Sequence, residues 1–404
     1  MNSMSPFRLL VSHEDAERII LNHCRPIEVT ERIEIHRAAG RVLAQNVVAK
    51  DNVPPFDRAA MDGYAVIAED TFAAADRQVE LRVVGEVHAG ETTDIELKHG
   101  TCVQIATGAP LPTGADAVVM VEFTERSEDV VTVTRPVYPG ANISRAGEDI
   151  KRGDVVLYTN TLLTPARVGA IAALGLTHVE VYVRPKVTVI ATGREIVAPG
   201  EELGRGQIYD VNSYTLSAIL TQNGAEVFRH GVVTDDYDAL RSAIQGAMES
   251  DMVVLSGGSS VGEKDMMVDV LEELGTVHFH GVQIKPGKPT LFATVNDTPI
   301  IGMPGYPTSC LSNAYIFLVP AVRQIARLPV RAPRTTTARL AKRVVSASGR
   351  KQFLTVRVED GVAHPVYKTS GAITSMSQAD GYIMLPVNLD VIEEGEEVDV
   401  VLFD

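Results

Sequence analysis

The stretch DDYDALRSAIQGAMESDMVVLSGG, residues 235–258, joins a helix-like segment to a strand-like segment and decides the fold class. Two aspartates open the helical part, and the apolar run 252–255 ends at two glycines. The same rhythm precedes it: KVTVIAT (186–192) predicts a strand, NSYTLSAILTQN (212–223) a helix and AEVFRHGVV (225–233) a strand. Strands that alternate with helices of about 10–15 residues indicate βαβ crossovers and a parallel sheet with helices on both faces. In such sheets, ligands bind at the carboxyl ends of the strands.

The rest of the chain has a different character. Its 404 residues exceed one core of ordinary size, since domains contain about 150 residues. Short β-like runs fill residues 64–139, and they return after the proline-marked segment LPVRAPRTTT (328–337). Helices are predicted for about 13–24, about 36–46, from Thr164-Pro165 to about 174, and around 308–327. The sequence therefore predicts several domains.

Charge and cysteine content exclude several classes of function. The 37 basic and 52 acidic residues give a formal charge of −15, which repels nucleic acid and anionic lipid. Cys24, Cys102 and Cys310 are scattered without a Cys-x-x-Cys pair, which indicates neither disulfides nor a thiolate zinc site. The N-terminal segment lacks an apolar signal core, and the apolar stretch near 314–322 is interrupted by Pro320. We expect a cytoplasmic protein that binds neither nucleic acid nor membranes.

The loop SGGSSVGEKD (256–265) directly follows the last apolar strand quoted above. Gly257 and Gly258 permit positive φ and close backbone approach, so that successive amides can converge on an anion. Asp265 places a carboxylate beside such a cradle, as a magnesium ion that bridges protein and phosphate requires. The residues alone also allow a plain turn, with a serine that caps the next helix.

Charged residues occupy the other loops of the α/β region. Lys285 and Lys288 lie in IKPGKP, whose prolines exclude a helix, so a stiff loop can hold both ammonium groups over one phosphate or oxyanion. Two solvated surface lysines are the alternative. Asp235 and Asp236 either bind a metal or cap the helix that they open. Glu195 follows a strand and has no comparable capping role.

Three polar residues of the N-terminal half occur in turns. Asp62 belongs to the Asp-Gly turn of AAMDGYAV, Thr107 begins TGAP, and Asp149 lies in GEDI. Taken singly, each is explained as a turn or loop residue. Local sequence therefore favours no functional site in this half.

Six motifs, however, occur together in one order. They are FDRAAMDGYAV (56–66), TGAPLPTGADAVVM (107–120), GEDI (147–150), SGGSSVGEKD (256–265), IKPGKP (284–289) and GMPGYPTS (302–309). Together they resemble the MoeA/gephyrin E-domain family, the molybdopterin molybdenumtransferases. The resemblance runs from about residue 8 to the C-terminus, and six ordered motifs are far more specific than one glycine loop.

The resemblance implies an enzyme of molybdenum cofactor biosynthesis. Family members use Mg²⁺, receive adenylated molybdopterin and molybdate, and insert the metal into the dithiolene while AMP is released. Tungstate is so similar to molybdate that the sequence does not choose between them. The members are homodimers whose active site is shared between subunits, and a molybdopterin adenylyltransferase is an expected partner.

The resemblance also implies a multidomain α/β plus β fold. Its predicted parts are an elongated N-terminal mixed linker and dimerisation domain (1–50 and 140–183), an inserted β-rich domain (51–139), a three-layer MogA-like α/β domain with a mostly parallel sheet (184–329) and a β-barrel-like C-terminal domain (330–404).

Functional residues follow from the resemblance position by position. The predicted catalytic residues are Asp62, Asp149, Asp235, Asp265, Lys285 and Lys288. The predicted residues that bind the pterin phosphate or nucleotide are Thr107, Gly257, Gly258, Ser259, Ser260, Pro304, Pro307 and Ser309. The predicted magnesium ligands are Glu195, Asp235 and Asp265. The lysines and Ser309 would also hold the incoming oxyanion, and Asp62, Thr107 and Asp149 would reach the partner subunit's cleft.

Two positions depart from the family pattern: Arg194 replaces an acid beside Glu195, and Tyr306 replaces an asparagine between Pro304 and Pro307. Two other functions stay open. One is the preceding step, adenylation of molybdopterin by ATP, because MogA-type adenylyltransferases share the α/β domain. The other is a non-catalytic scaffold on the same fold. The match outside the α/β region argues against the first, and the retained aspartates argue against the second.

Overall fold

The computed structural model describes residues 9–257, 266–346, 349–369 and 371–403. The chain divides into two compact units. The smaller unit comprises Ile33–Ala39 and Leu43–Val179, and the larger unit contains the described residues on either side of it together with Gly40–Val42. Within the described ranges, no helix is long and apolar enough to cross a membrane.

The helices lie mainly in the larger unit. In chain order they are α1 His13–His23, α2 Pro165–Ala173, α3 Asn212–Gln222, α4 Tyr237–Gly246, α5 Met266–Leu274, α6 Pro307–Asn313, α7 Val319–Ile325 and α8 Thr374–Ser377. Short 3₁₀ helices are formed by Ile35–Arg37, Ala68–Ala75 and Val121–Phe123, and the π-helix Ala314–Leu318 joins α6 to α7. The start of α1 is fixed by a local cap, since the Ser12 side chain accepts a hydrogen bond from the Asp15 amide.

The first twelve strands precede residue 186. They are β1 Thr30–Glu34, β2 Val47–Val48, β3 Arg58–Ala59, β4 Gly63–Val66, β5 Val79–Val87, β6 Thr101–Ile105, β7 Ala117–Met120, β8 Thr124–Ser127, β9 Val130–Val133, β10 Ile143–Ser144, β11 Val155–Leu157 and β12 His178–Tyr182. A mixed six-stranded sheet of the smaller unit has the order β7-β4-β6-β5-β9-β8. Alternate residues of its central strands enter two different cores: Val66 and Val119 pack on one face, Ala65 and Val118 on the other. The predicted β-rich part is therefore confirmed.

The next strands include the main sheet of the larger unit. They are β13 Lys186–Thr192, β14 Ile196–Val197, β15 Ile208–Tyr209, β16 Glu226–Val233, β17 Met252–Ser256, β18 Thr276–His280, β19 Ile284–Lys285, β20 Leu291–Val295 and β21 Thr298–Met303. The sheet order is β16-β13-β17-β21-β20-β18. The first four strands are parallel, whereas β20 pairs antiparallel with both of its neighbours.

Both faces of this sheet are covered. Val187 and Val254 lie in a core shared with residues of α1, α3 and α7, while Ile190 and Val253 lie in a second core with residues of α4 and α5. The strands are accordingly almost fully apolar, as expected for a sheet between two helical layers. The predicted three-layer, mostly parallel α/β domain is confirmed.

The C-terminal strands close into a barrel. They are β22 Thr335–Leu340, β23 Val344–Val345, β24 Lys351–Glu359, β25 Val362–Pro365, β26 Gly381–Leu385, β27 Val391–Ile392 and β28 Glu397–Leu402. The pairings run β24-β25-β22-β28-β26 and return to β24, so five strands form a closed ring around an apolar core. β19 adds to β24 in parallel, which ties the lysine-bearing segment of the α/β region to this barrel. The β-barrel-like prediction is confirmed.

Two details differ from the sequence-based expectation. The helix predicted for about 36–46 is wrong: only the 3₁₀ turn Ile35–Arg37 forms, and the Leu43 amide donates instead to the Thr161 carbonyl at 2.9 Å. A distant backbone partner thus outcompetes local helix propensity. The hairpin β20–β21 was not predicted, although Asn296 and Asp297 between its strands both have positive φ, as a two-residue hairpin turn requires. The predicted domain boundaries stay a prediction.

Candidate functional site

Three parallel strands of the larger unit end next to one another with glycines. Gly257 follows β17 with φ +98°, and a Cβ atom there would lie 2.2 Å from the Thr192 carbonyl oxygen at the end of β13. A Cβ atom at Gly305, after β21, would lie 3.7 Å from the Gly257 Cα. Only glycine fits at 257, because any side chain would overlap backbone. The carboxyl edge of the sheet is therefore a close-packed backbone surface. Gly258, Ser259, Ser260 and Asp265 lie outside the described residues.

The loop Pro304–Pro307 is held from three directions. Asn212 Nδ2 donates to the Gly305 carbonyl at 2.8 Å. The Cys310 amide donates to the Tyr306 carbonyl at 2.8 Å, and Thr308 Oγ1 donates to the Ala372 carbonyl at 3.0 Å. These bonds fix the backbone of the loop beside Gly257.

Several side chains around this loop are buried. Ser309 lies in the first turn of α6 with 4% of its surface exposed, and Pro304 is buried as well. Burial raises the pKa of the neighbouring Cys310 thiol to about 12. The thiol therefore stays protonated at neutral pH and is not a nucleophile.

The predicted lysine pair lies on a loop fixed at its centre. Gly287, between the lysines, has φ +101°, and its carbonyl accepts hydrogen bonds from Asn313 Nδ2 at 2.8 Å and Thr290 Oγ1 at 2.9 Å. A Cβ atom at Gly287 would lie 2.3 Å from Asn313 Nδ2. Lys285 and Lys288 are both half-buried. The backbone between the two lysines is therefore fixed, and a shared anion site for their side chains stays a prediction.

The helix α6 relates the lysine loop to the glycine loop. Its first residue, Pro307, ends the loop beside Gly257, and its last residue, Asn313, bonds Gly287. Seven residues of α-helix span about 10 Å. The structure thus ties the lysine loop and the Pro304–Pro307 loop, which lies beside Gly257, to the two ends of one short helix.

Two acidic loops adjoin this edge of the sheet. Asp236 is the helix cap of α4, since its Oδ1 accepts the Ala239 amide at 2.9 Å, and this leaves the half-buried Asp235 without a capping role. Glu195 folds back over Gly193, where an added Cβ would lie 2.9 Å from its Oε2. Arg194, one of the two residues that differ from the family pattern, donates a hydrogen bond to the Asp235 carbonyl at 3.1 Å. It therefore links the two acidic loops.

The carboxylates of these loops do not form a metal cage by themselves. Across the described ranges, no three His, Cys, Asp or Glu side chains converge. Mg²⁺ needs no such group, because it binds one or two carboxylates and completes its shell with water and substrate phosphates. Glu195 and Asp235 supply the hard oxygen donors that this ion prefers, so the residues present fit a substrate-completed magnesium site.

Sequence reasoning missed two buried amides of the larger unit. Asn212 and Asn313 each direct Nδ2 to a loop carbonyl, and each retains a buried Oδ1 that has no hydrogen-bond partner among the described residues. At the start of α3, Asp210 Oδ1 accepts the Ser213 amide at 3.0 Å. The signal for Asn212 was its place at the start of a helix that follows a strand-end loop.

The smaller unit brings together part of its predicted residues. The Asp62 carboxylate accepts the Thr107 amide at 2.6 Å and Thr107 Oγ1 at 2.8 Å, and these hydrogen bonds lower the pKa of Asp62. The Asp149 side chain is exposed, and its amide donates to the Val53 carbonyl at 3.1 Å. Asp57, which was not predicted, accepts the Arg145 guanidinium at 3.0 Å. These three carboxylates therefore lie on turns of the smaller unit that backbone or side-chain hydrogen bonds fix.

The architecture defines a class: multidomain proteins that combine a three-layer α/β domain with a mixed β-sheet and a closed C-terminal barrel. Family models match three successive regions: the MoeA N-terminal region (domain I and II) at 11–175, a probable molybdopterin binding domain at 188–324 and the MoeA C-terminal region (domain IV) at 337–403.

Relatives cover the whole length. The chain is 34% identical to molybdopterin molybdenumtransferase 2 of Mycobacterium tuberculosis, over 97% of this chain and 99% of that one. It is 36% identical to a putative molybdopterin biosynthesis protein of Methanocaldococcus jannaschii, over 92% of each. The crystal structure of the molybdopterin biosynthesis MoeA protein from Pyrococcus horikosii matches with a TM-score of 0.84 and 40% identity, over 98% of this chain and 99% of that chain. This chain belongs to the MoeA family.

Proposed function

We propose that this protein is a molybdopterin molybdenumtransferase that inserts molybdate into adenylated molybdopterin, with release of AMP, to give molybdenum cofactor. Curated relatives of the same family carry that name over most of the chain. The observation that carries the proposal is the close approach of Gly257 to the Thr192 carbonyl at the carboxyl edge of the sheet. It leaves backbone, and no side chain, at the place where an anionic ligand of such a sheet binds.

The substrate carries a phosphoanhydride, and its charge must be balanced locally because the protein is acidic overall. Lys285 and Lys288 supply this balance from a turn that is fixed by Asn313. A fixed cation stabilises a developing negative charge without reorganisation cost. The same pair attracts molybdate, a tetrahedral dianion, so one cationic loop serves both the phosphate and the incoming metal oxyanion.

The reaction needs three changes at one site. Two dithiolene sulfurs replace oxygen ligands of molybdate, the phosphoanhydride bond takes up water, and AMP leaves with net release of one water. When bound, Mg²⁺ supplies Lewis-acid stabilisation of the phosphate charge. We assign its protein contacts to Glu195 and Asp235, with Asp265 as a further ligand. The glycine loop, with Gly258, Ser259 and Ser260, holds the phosphate, and Pro304, Pro307 and Ser309 complete the binding site.

We assign Asp62, Thr107 and Asp149 to the same chemistry, contributed by the smaller unit of the partner subunit in a homodimer. The hydrogen bonds from Thr107 keep Asp62 ionised at neutral pH. An ionised carboxylate binds a hydrated metal ion, which suits a reaction that handles Mg²⁺ and molybdate.

The direct test is incubation of the purified protein with adenylated molybdopterin, Mg²⁺ and molybdate. We expect release of AMP and formation of a product that activates a cofactor-free molybdoenzyme. The Lys285→Ala variant should lose about 100-fold or more of this rate, because one fixed charge that stabilises the transition state is removed. Lys342→Ala, which removes an exposed lysine elsewhere in the larger unit, is the matched control and should keep full activity.

Two outcomes would contradict the proposal. Transfer of AMP from ATP to molybdopterin, without AMP release from the adenylated substrate, would indicate the adenylyltransferase. No turnover in either assay, from a folded dimer, would indicate a scaffold.

A further inference from the structure

Tyr306 presents an aromatic ring at the rim of the proposed phosphate site. Its side chain is 66% exposed, although aromatic rings gain most from burial. The preceding residue, Gly305, packs against Gly257 at the end of β17, where an added Cβ would lie 3.7 Å from the Gly257 Cα. The ring therefore begins one residue from the strand-end surface that holds the substrate.

The backbone that carries this ring is immobilised. The hydrogen bonds from Asn212 Nδ2 to Gly305 and from the Cys310 amide to Tyr306 are both 2.8 Å long. One residue beyond Pro307, Thr308 Oγ1 anchors the loop to the Ala372 carbonyl. Ordering a loop in advance removes most of the entropy cost of a contact made by its side chain. A pinned backbone with an exposed ring is the arrangement of a binding platform.

Among the residues that the structure describes, the neighbours of the ring leave it accessible. A Cβ atom at Gly371 would lie 3.7 Å from Tyr306 Cδ1, so the neighbouring C-terminal loop meets the ring edge with a residue that has no side chain. The other residues that flank the ring in sequence are Gly305 and Pro307, which carry no long side chain that could cover its face.

We propose that Tyr306 is a stacking platform for a planar heterocycle of the bound substrate, and thereby a specificity-determining residue of this chain. The inference rests on the proposed function, whose adenylated substrate contains two such rings, adenine and pterin. Both present a π-face to an aromatic side chain, and both are joined to the phosphoanhydride that the proposed function places at the strand-end surface beside Gly257. Stacking of a base on an aromatic side chain depends on the ring and not on the phenolic hydroxyl.

The test measures ligand affinity by calorimetry on the full-length protein in the presence of Mg²⁺. Three ligands are compared: AMP, a phosphorylated pterin, and ribose 5-phosphate, which has a phosphate but no heterocycle. We expect Tyr306→Ala to weaken either AMP or the pterin by about 5- to 100-fold, with ribose 5-phosphate unchanged. The ligand that weakens identifies the ring. Tyr306→Phe should keep wild-type affinity, and Tyr306→Asn should behave like the alanine variant.

Tyr138→Ala is the matched control, since Tyr138 is a 69% exposed tyrosine of the smaller unit and has no role in the proposed site. Equal affinities of wild type and Tyr306→Ala for both heterocycles would overturn the inference while leaving the proposed function intact. Equal losses in Tyr306→Phe and Tyr306→Ala would overturn stacking in favour of a hydroxyl contact. If wild-type protein binds neither heterocycle and releases no AMP from adenylated molybdopterin, the proposed function fails together with the inference.

Discussion

The strand-end loops of the larger unit and the Asp62 turn of the smaller unit hold their polar groups in opposite ways. At Gly257 the position is set by backbone packed against backbone, with no room for a Cβ. At Asp62 it is set by two hydrogen bonds from Thr107 to an exposed carboxylate. The first arrangement is sensitive to a single methyl group, whereas the second tolerates changes of size but depends on charge. Substitutions that change only size or only charge therefore distinguish the two arrangements.

The largest effect is expected from Gly257→Ala. The new Cβ would lie 2.2 Å from the Thr192 carbonyl oxygen, and φ is +98°. We expect a loss of about 2–4 kcal/mol in the free energy of unfolding and loss of transferase activity. Gly231→Ala is the control, because Gly231 has the same φ of +98° and nothing within 4 Å of the added Cβ. It should cost about 1 kcal/mol. Equal unfolding midpoints for both variants would refute the close-packed interpretation.

A second prediction concerns the lysine loop. Asn313→Ala removes the donor to the Gly287 carbonyl, so the loop loses its central anchor. We expect a loss of about 1–3 kcal/mol in stability and a rise of about 10-fold or more in the KM for molybdate. Asn223→Ala removes a similar bond from a buried asparagine to the Ile219 carbonyl at 2.8 Å, and it should reduce stability alone. A KM that rises equally in both variants would contradict a positioning role for Asn313.

The two units also contain histidines with opposite pH responses. Burial beside His23 lowers the pKa of His278 in the larger unit, whereas hydrogen bonding to Asp70 raises the pKa of His99 in the smaller unit. A lowered histidine pKa means that the unfolded chain binds more protons, so stability is lost as pH falls below about 6.5. We expect His278→Gln to flatten this acid-side loss by less than about 1 kcal/mol between pH 7.5 and 5.5.

The matched variant His99→Gln should act in the opposite sense. A raised pKa contributes stability that is present below the unfolded pKa and lost as pH rises through the folded pKa. Thermal unfolding at a series of pH values measures both slopes. The quantity compared is the stability difference between each variant and wild type as a function of pH. If this difference changed with pH in the same direction for both variants, the environments of the two histidines would be misassigned.

The smallest effect on stability is expected at Asp62. Because its pKa is lowered, its stabilising contribution is present above the unfolded pKa of about 3.9 and lost as pH falls through the folded value. Asp62→Asn should therefore be slightly less stable than wild type at neutral pH, since the carboxylate is exposed, and equal to it at acid pH, while reducing transferase activity through loss of the charge. A variant with unchanged AMP release would remove Asp62 from the proposed site.

Regular elements were predictable where local signals were complete. The strand predicted at 186–192 is β13, and Asp236 caps α4, one of the two roles that the sequence allows for it. The helix predicted for 36–46 failed because Leu43 bonds Thr161, a partner more than a hundred positions away in the sequence. Local propensities are worth less per residue than a buried long-range hydrogen bond in its native setting.

In the candidate site too, residues with a local sequence signal were predictable, and residues whose role depends on a distant partner were not. Gly257 and the lysine pair stand out in the sequence, and the family resemblance orders them. Asn212 and Asn313 do not stand out, because an asparagine in or before a helix is explained locally in several ways. Their role depends on which carbonyl each amide faces, and that carbonyl belongs to a different loop in both cases.

The sequence by itself determined the alternation of strands and helices, and it predicts both the edge of the sheet at which a ligand binds and the residue types that would bind an anion there. These are properties of periodicity and local backbone preference, which neighbouring residues encode. Only the tertiary structure decided that Gly257 must be glycine, that Asn313 fixes the lysine loop, and that the residue next to Gly305 carries an exposed ring. Each of these depends on the distance between segments far apart in the chain, and that distance is set by packing of the whole sheet and its helices.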